Sequence, residues 1–311
     1  MAKVYEVAAN TLNMERSAWL EARKTGIGGS DAAAIIGATP YRTPLEVYAD
    51  KKGLSLPKEE TEAMRLGRDL ESYVAERFTE QTGLKVRREN HILRSVEHPC
   101  MIANVDRMVV GENAWLECKT TSSWNWGDGT VPPSYYAQSL HYMAVTGADH
   151  WYLAVLVWGE GFHTFRIERS DEDVRCLVEA EEAFWMEHVV ANVPPAPSGT
   201  KGDEQVIRSM AQDAKQEETV TLDGLDATCE RIVEIKTQID ALSDEKARLE
   251  QEVKMQMGGA QCAAGERHVV TWKETTRRSV DTKALKAGAP DVYSAYLKAT
   301  TYRRFEVKER R

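Results

Sequence analysis

The chain has 311 residues, an ordinary soluble composition and a formal net charge of −9, which argues against a protein that coats nucleic acid non-specifically. No apolar run approaches the ~18 residues of a membrane span, and the N-terminus lacks the apolar stretch of a signal peptide. Five scattered cysteines fit neither a disulfide framework nor a zinc site, so we expect a cytoplasmic protein with no membrane partner.

The N-terminal part of the chain predicts two helices joined by a glycine-rich turn. The first covers 14–24, and the second begins after Gly28-Gly29, where Ser30 or Asp31 is a natural N-cap. Free N–H groups at that helix start, with Arg23 upstream, would make an anion site. A helix cap after a flexible turn, without any ligand, explains the same residues equally well.

A long amphipathic helix is predicted over 60–82 and is ended by Gly83. Glu71 lies beside its apolar stripe, where a carboxylate either pairs with a base such as Arg68 or coordinates a metal. Beyond the helix, apolar runs predict strands at 84–95, 99–110, 113–119, 150–158 and 162–168.

A β-hairpin is predicted where Met108–Val110 and Ala114–Leu116 flank a turn at 111–113. Glu117 and Lys119 are two residues apart on the second strand, so their side chains share one face of the sheet. Because a hairpin brings its two ends together, Asp106 is expected to meet both of them.

Two carboxylates and one ammonium at a single point have a clear chemical use. The carboxylates of Asp106 and Glu117 would hold Mg²⁺ or Mn²⁺ through hard oxygens, and Lys119 would orient or help to deprotonate a bound water. The alternative is an ordinary surface pair of Glu117 and Lys119, because an Asp…Glu-x-Lys pattern is short and degenerate.

An amphipathic helix is predicted over 134–147, and another over 170–190 completes an α/β unit. Tyr135, Gln138 and Tyr142 share one polar and aromatic face of the first helix. They would either pack at the edge of the sheet or grip a nucleic-acid strand. His141 is assigned to helix packing rather than to a metal.

Three prolines and a glycine over 192–199 predict a stiff linker, which we extend to 192–203. It separates a domain at 1–191 from an accessory extension at 204–311. That extension holds an amphipathic helix at about 224–257, which would form a short coiled coil or, as the broken heptads favour, pack on its own domain. A strand at 267–274, a helical stretch at 281–298 and a basic aromatic end follow.

Taken in order, the motifs of residues ~15–190 resemble the YqaJ-type viral recombinase, or lambda-exonuclease-like, branch of the PD-(D/E)xK nuclease superfamily. The resemblance is carried by blocks in a fixed order: Trp19–Arg23, Gly28–Asp31, Gly67–Glu71, Asp106, Glu117–Lys119, Tyr136–Gln138 and the run to Gly147. Val105 occupies the position that is proline in the PD-(D/E)xK motif. A proline there contributes only backbone geometry and no metal ligand, so the difference leaves the implied ligands unchanged.

The resemblance implies a fold and a set of residue roles. The fold is an α/β (α+β) restriction-endonuclease-like core, with a mixed central sheet flanked by helices and a C-terminal helical and β extension. Asp106, Glu117 and Lys119 would be catalytic, and two ions of Mg²⁺ or Mn²⁺ are implied. The roles implied for further residues are metal ligation by Glu71, Asp106, Glu117 and Cys118, 5′-phosphate binding by Arg23, Ser30, Asn104 and Gln138, and DNA-strand contact by Tyr135 and Tyr142.

The activity implied is a metal-dependent exonuclease that resects one strand of linear double-stranded DNA 5′→3′ for phage-type recombination. Its expected partners are duplex ends and a single-strand annealing protein, and some members of the family form trimeric rings. Two alternatives stay open: an endonuclease or repair or defence nuclease with the same core, and a non-catalytic scaffold that binds DNA ends.

Overall fold

A computed structural model describes residues 3–55, 60–122, 129–211, 219–299 and 302–308. The chain forms two compact units, Met1–Lys215 and Gln216–Arg311. No helix within the described ranges is both long enough and apolar enough to cross a lipid bilayer.

The first unit contains two sheets and helices on both of their faces. Its helices are α1 Arg16–Lys24, α2 Gly29–Ile35, α3 Pro44–Lys51, α4 Glu62–Thr82, α5 Pro133–Thr146, α6 Asp171–Phe184, which continues as a π-helical turn Trp185–Val190, and α7 Lys201–Met210. Its strands are β1 Tyr5–Asn10, β2 Ile27–Gly28, β3 Val86–Arg88, β4 His91–Ser95, β5 Met101–Ala103, β6 Arg107–Val109, β7 Ala114–Thr121, β8 His150–Val157 and β9 Gly161–Glu168.

The larger sheet has the order β3-β6-β7-β8-β9 and mixes parallel with antiparallel pairs. Strands β6 and β7 form the predicted hairpin, in which Met108 is paired with Trp115. Strands β7 and β8 run parallel, because α5 carries the chain back across the sheet. The predicted mixed sheet flanked by helices is confirmed.

Side-chain alternation along β7 divides the core between two helices. Trp115 faces α5 in the cluster that contains Met143 and Trp151, whereas Leu116 faces α4 in the cluster that contains Phe78. Since Glu117 and Lys119 share the parity of Trp115, their side chains lie on the α5 face.

The predicted strands at 84–95 and 99–110 are each divided in the structure. Strands β4 and β5 belong with β1 and β2 to the smaller sheet, in the order β1-β4-β5-β2, while β3 and β6 belong to the larger one. The chain crosses between sheets near Asn90 and again at 104–106. Asp106 therefore lies at a crossing point, with the neighbouring Val105 buried in the core.

The division between the compact units lies further along the chain than the predicted linker at 192–203. Helix α7 follows that proline-rich stretch and packs on the first unit, because Val206 joins the cluster of Leu45 and Phe184. Asp203 is also buried, where its carboxylate accepts hydrogen bonds from the Thr43 hydroxyl and the Ser198 N–H.

The second unit is built around one long helix, α8 Leu225–Met257, close to the predicted 224–257. A short hairpin of β10 Cys262–Ala264 and β11 Val269–Thr271 follows, where the sequence predicts one strand at 267–274. The helical stretch predicted at 281–298 is divided by Pro290 into α9 Thr282–Gly288 and α10 Pro290–Ala295.

Candidate active site

Asp106 is held against the second strand of the hairpin. The Cys118 backbone N–H donates to Asp106 Oδ2 at 2.8 Å. This bond fixes the Asp106 carboxylate beside β7, where Glu117 and Lys119 project from the same strand. The predicted meeting of Asp106, Glu117 and Lys119 is therefore present in the structure.

Glu117 is almost fully buried and receives two hydrogen bonds on one oxygen. Lys119 Nζ lies 2.6 Å and Gln138 Nε2 lies 2.8 Å from Glu117 Oε1. The other oxygen, Oε2, is buried and has no hydrogen-bond partner within the described part of the chain. A buried carboxylate oxygen without a donor loses its hydration uncompensated, so this atom is arranged to take a further ligand.

The charges of this cluster shift the proton affinities of its members. Burial raises the pKa of Asp106 well above its usual range, and the negative charges of Glu117 and Glu71 raise it further. Burial alone would lower the pKa of Lys119, but the charges of Glu117 and Asp106 outweigh burial and raise it. The cluster therefore has excess negative charge that one lysine only partly offsets.

Glu71 approaches the cluster from α4, on the opposite face of the sheet from Glu117. Its Oε1 accepts hydrogen bonds from Arg107 and, at 3.2 Å, from Arg88 Nη2. In this structure Glu71 is therefore paired with basic side chains, which is the alternative to metal ligation. Its partners are the arginines of β3 and β6 and not Arg68. Its charge still acts on the pKa of Asp106.

The donor set fits a hard divalent cation, with Asp106 and Glu117 as its centre. Among the described residues no three side chains of the types His, Cys, Asp and Glu converge as a ready-made cation cage. Glu117 Oε2, which has no partner in the described ranges, and the raised pKa of Asp106 both mark carboxylates that a cation would stabilise. The Cys118 main-chain carbonyl would complete the oxygen ligands, because Mg²⁺ and Mn²⁺ prefer oxygen donors.

A second cluster, at the junction of α1 and α2, contains three of the predicted phosphate-binding residues. Arg23 Nη2 donates to Ser30 Oγ at 2.7 Å, and its guanidinium lies 4.7 Å from the centre of the Trp19 ring. Trp19 Nε1 in turn donates to Asn104 Oδ1 at 2.9 Å. Arg23, Ser30 and Asn104 are therefore neighbours. Trp19 links Arg23 to Asn104, a role that the motif spacing does not predict.

Gln138, the fourth predicted phosphate-binding residue, belongs instead to the carboxylate cluster. It is buried, and its amide nitrogen donates to Glu117 and, at 3.1 Å, to the Tyr142 hydroxyl. A Cβ on Gly29 would lie 3.0 Å from Gln138 Cγ, so the start of α2 packs directly on this part of α5. Gln138 thus lies between the two clusters.

The two tyrosines assigned to a DNA strand have different surroundings. Tyr142 is 5% exposed and packs against Trp151, so its ring has no face free for a base. The prediction of a strand contact is thereby corrected for Tyr142, because packing of α5 on the sheet covers the ring. Tyr135 is half-buried, with Lys119 Nζ 5.5 Å from its ring centre.

The support beneath the phosphate cluster was missed because α3 was not predicted. The N-cap of α2 is Gly28 rather than Ser30 or Asp31. The Asp31 carboxylate, at the third position of the helix, accepts from the Gly28 N–H at 2.9 Å and pairs with Lys51 Nζ at 2.6 Å. Burial opposes ionisation, but Lys51, Arg42 and Arg23 hold the pKa of Asp31 well below its usual range. The capping box Thr43-Pro44-Leu45-Glu46 is the sequence signal that could have revealed α3.

Comparison with known proteins places these features in a family. The model of the YqaJ-like viral recombinase domain matches residues 18–149, which contain every residue of both clusters. A relative from Bacillus subtilis (strain 168), described as "Uncharacterized protein YqaJ", is 39% identical over 317 positions that cover 99% of each chain.

Two solved structures are also similar. An alkaline exonuclease, LHK-Exo, from Laribacter hongkongensis is 22% identical with a TM-score of 0.47, over 63% of this chain and 98% of that chain. A phage-related exonuclease from Haemophilus somnus 129PT is 14% identical with a TM-score of 0.42, over 54% of this chain and 96% of that chain. The identity to the Bacillus protein extends along the whole sequence, and on that basis the chain belongs to the YqaJ family of viral recombinase-like proteins.

Proposed function

We propose that this protein is a metal-dependent deoxyribonuclease that resects one strand of linear duplex DNA, 5′→3′ from an end, for recombination by single-strand annealing. The observation that carries the proposal is the Asp106–Glu117–Lys119 cluster, in which Glu117 Oε2 is buried and has no hydrogen-bond partner among the residues that the structure describes. Membership of a recombinase family supports the biological setting, which is the cytoplasm of a bacterial or phage-infected cell.

Each residue of the cluster would have its own role in phosphodiester hydrolysis. Asp106, Glu117 and the Cys118 carbonyl would hold Mg²⁺ or Mn²⁺, and we propose two ions. Glu71 would become a metal ligand only if its carboxylate released Arg107. The metal, when bound, would neutralise the phosphate and lower the pKa of a coordinated water. Lys119 would position the attacking water and place a positive charge beside the reacting phosphate, and Gln138 would hold the Glu117 carboxylate in place.

The cluster of Arg23 and Ser30 would bind the 5′-phosphate of the resected strand. A guanidinium offers paired donors to phosphate oxygens, and the Trp19 ring beneath it limits its rotamers. Asn104 would act through Trp19, and Tyr135 would contact the strand. A single-strand annealing protein and a ring-shaped trimer, both implied by the resemblance, complete the proposal as partner and assembly.

Substitutions at the carboxylate cluster test the chemistry. Asp106→Asn and Lys119→Ala are each expected to lower cleavage of a linear duplex by at least ~10²-fold, because each removes charge from the reacting centre. The rate should be measured with and without Mg²⁺ and Mn²⁺, after circular dichroism has verified folding. The matched control is Glu112→Gln, which removes a carboxylate at the turn end of the same hairpin, bound there to His150 and Tyr152.

Three results would contradict the proposal. Undiminished cleavage by folded Asp106→Asn would exclude the cluster, and full activity in a chelator would exclude the metal. Cleavage of a sealed circular duplex at the rate of the linear form would favour the endonuclease alternative. Labels at either end of the linear duplex report the polarity.

Arg23→Ala tests recognition of the end. Loss of a charge-assisted hydrogen bond costs about 1.5–3 kcal/mol, so cleavage of 5′-phosphorylated ends should fall by about tenfold or more relative to 5′-hydroxyl ends. The control is Lys24→Ala, the next residue of α1, whose ammonium pairs with Glu21. Equal losses on both kinds of end would assign Arg23 to general DNA affinity instead.

A further inference from the structure

The long helix of the second unit leaves its apolar stripe uncovered. Steps of three and four residues along α8 define what we call the α8 seam: Ile232, Ile235, Ile239, Leu242, Lys246, Leu249 and Val253. Its six aliphatic members are 38–64% exposed. The sequence favours packing of this helix on its own domain, yet the described residues of the second unit, 219–299 and 302–308, leave these side chains partly exposed.

Half of the seam borders a groove. A cavity of ≈ 590 Å³ lies between α8 and β11, with Leu242, Leu249 and Val253 on one side and Val270 and Trp272 on the other. Trp272 is 48% exposed, so the groove is open and largely apolar. Exposed aliphatic side chains at heptad spacing next to an open groove are the features of a helix that packs with another helix.

The charges beside the seam distinguish between the two possible orientations of a pair of α8 helices. In a parallel pair, the flanking positions place Arg231 opposite Lys236 of the second copy and Glu245 opposite Glu250. Both contacts are between like charges. In an antiparallel pair, Arg231 lies opposite Glu252 of the second copy, and the twofold symmetry makes this attractive contact twice.

The antiparallel register also matches the seam residues in size and polarity. Ile239 lies against Leu242 of the second copy at the centre, and Ile232 enters the groove beside Leu249. Lys246 faces Ile235, where its ammonium stays at the margin and keeps its ion pair with Glu250, 2.6 Å away. A single polar seam position of this kind fixes register at some cost in stability.

We propose that α8 pairs in antiparallel orientation with α8 of a second copy of this chain, the seam of each copy covering that of the other. A helix of 33 residues is ~50 Å long, which gives the pair several turns of contact on each side of its twofold axis. The proposal is independent of the nuclease activity and adds a dimer contact outside the unit that contains Asp106.

Sedimentation of the full chain tests the pair. Ile239→Glu places a charge at the centre of the seam and is expected to halve the mass of the wild-type assembly. The matched control is Val233→Glu, because Val233 lies on the same helix outside the seam and is 50% exposed, close to the 56% of Ile239. This variant should keep the wild-type mass. Circular dichroism checks that both variants retain their helix content.

An unchanged mass for Ile239→Glu, as expected if the seam is covered within its own chain, would overturn the proposal, and so would a monomeric wild-type chain. The orientation is tested by exchanging charges. Arg231→Glu should weaken association, and the double variant Arg231→Glu/Glu252→Arg should restore it. Stronger association of Arg231→Glu alone would overturn the antiparallel arrangement, because that substitution relieves the like-charge contact of a parallel pair.

Discussion

His141 shows how a buried ionisable side chain can be structural beside a reactive site. His141 and Glu181 are both fully buried. Both ring nitrogens of His141 face acceptors: Nδ1 lies 2.8 Å from Glu181 Oε2, and Nε2 lies 2.9 Å from the Ile102 carbonyl oxygen. An imidazole can satisfy two acceptors only when both nitrogens carry protons. The pair therefore joins α5, α6 and β5 as an ion pair, in agreement with the packing role predicted for His141.

This ion pair predicts a dependence of stability on pH. Burial opposes the charge of His141, but Glu181, the Ile102 carbonyl and Asp31 outweigh burial and raise its pKa. The contribution to stability is then complete below the unfolded pKa of ~6.5 and is lost as the pH rises through the raised folded value.

Glu181→Gln is expected to lower the free energy of unfolding by about 1–3 kcal/mol at pH 6. The difference from wild type should shrink toward alkaline pH, as His141 loses its proton. Urea unfolding at a series of pH values measures the difference. The control is Glu182→Gln, because Glu182 lies on the same helix and pairs with the more exposed His98. A constant difference at all pH values would mean that His141 is neutral in the folded protein.

The contact between helices α2 and α5 connects the two clusters of the site. It depends on Gly29, where a Cβ would lie 2.7 Å from two atoms of the Tyr142 ring. Ser30 follows directly on α2, and Gln138 contacts Glu117 from α5. The distance between the phosphate cluster and the carboxylates therefore depends on residue 29 being glycine, which lets α2 and α5 approach each other closely.

Gly29→Ala is expected to force the two helices apart at a cost of about 1–3 kcal/mol in stability. Activity should fall beyond what the lost stability explains, because Ser30 and Arg23 move relative to Glu117. Chemical denaturation and the duplex cleavage assay measure the two effects. The control is Gly67→Ala in α4, where a Cβ would meet Thr120 Oγ1 at 3.6 Å and no other atom of the described residues within 4 Å. Improved helix propensity should make that change stabilising by about 0.5–1 kcal/mol. Equal stability of the two variants would contradict the close approach at Gly29.

At the scale of the whole molecule, α7 decides where the first unit ends. It follows a stretch rich in proline yet contributes Val206 to the core around Tyr48 and Phe184. The Glu46 carboxylate packs against Gly202, in space that a Cβ would fill. A proline-rich segment can therefore run over the surface of a unit and still be followed by an element that completes its core.

Truncation tests this boundary. A fragment of residues 1–215 is expected to exceed a fragment of 1–199 in unfolding free energy by about 2–4 kcal/mol, because the shorter one loses the burial of Val206 and the hydrogen bonds of Asp203. Urea unfolding of the two fragments gives the difference. Within the longer fragment, Val206→Ala should destabilise more than Ile207→Ala, because Ile207 is 43% exposed. Equal stability of the two fragments would place the end of the unit before α7.

Much of the molecule is determined locally and was therefore predictable. The hairpin that brings Asp106 to Glu117 follows from strand-forming residues on either side of a turn, and the end of α4 follows from Gly83, whose φ of 75° favours glycine. The stripe of α8 is likewise readable, because its period is a property of the helix alone. The order of the motifs in the sequence further determined the family.

Only the tertiary structure decided which of these residues meet. Sequence spacing cannot show that Gln138 reaches Glu117, that Asp31 pairs with Lys51, or that packing on Trp151 covers Tyr142. Nor can it show that the chain changes sheets at 104–106, or that α7 returns to the first unit. The physical reason is that these contacts join side chains of different helices and strands, and their energies depend on burial, which exists only once the sheets and helices have packed.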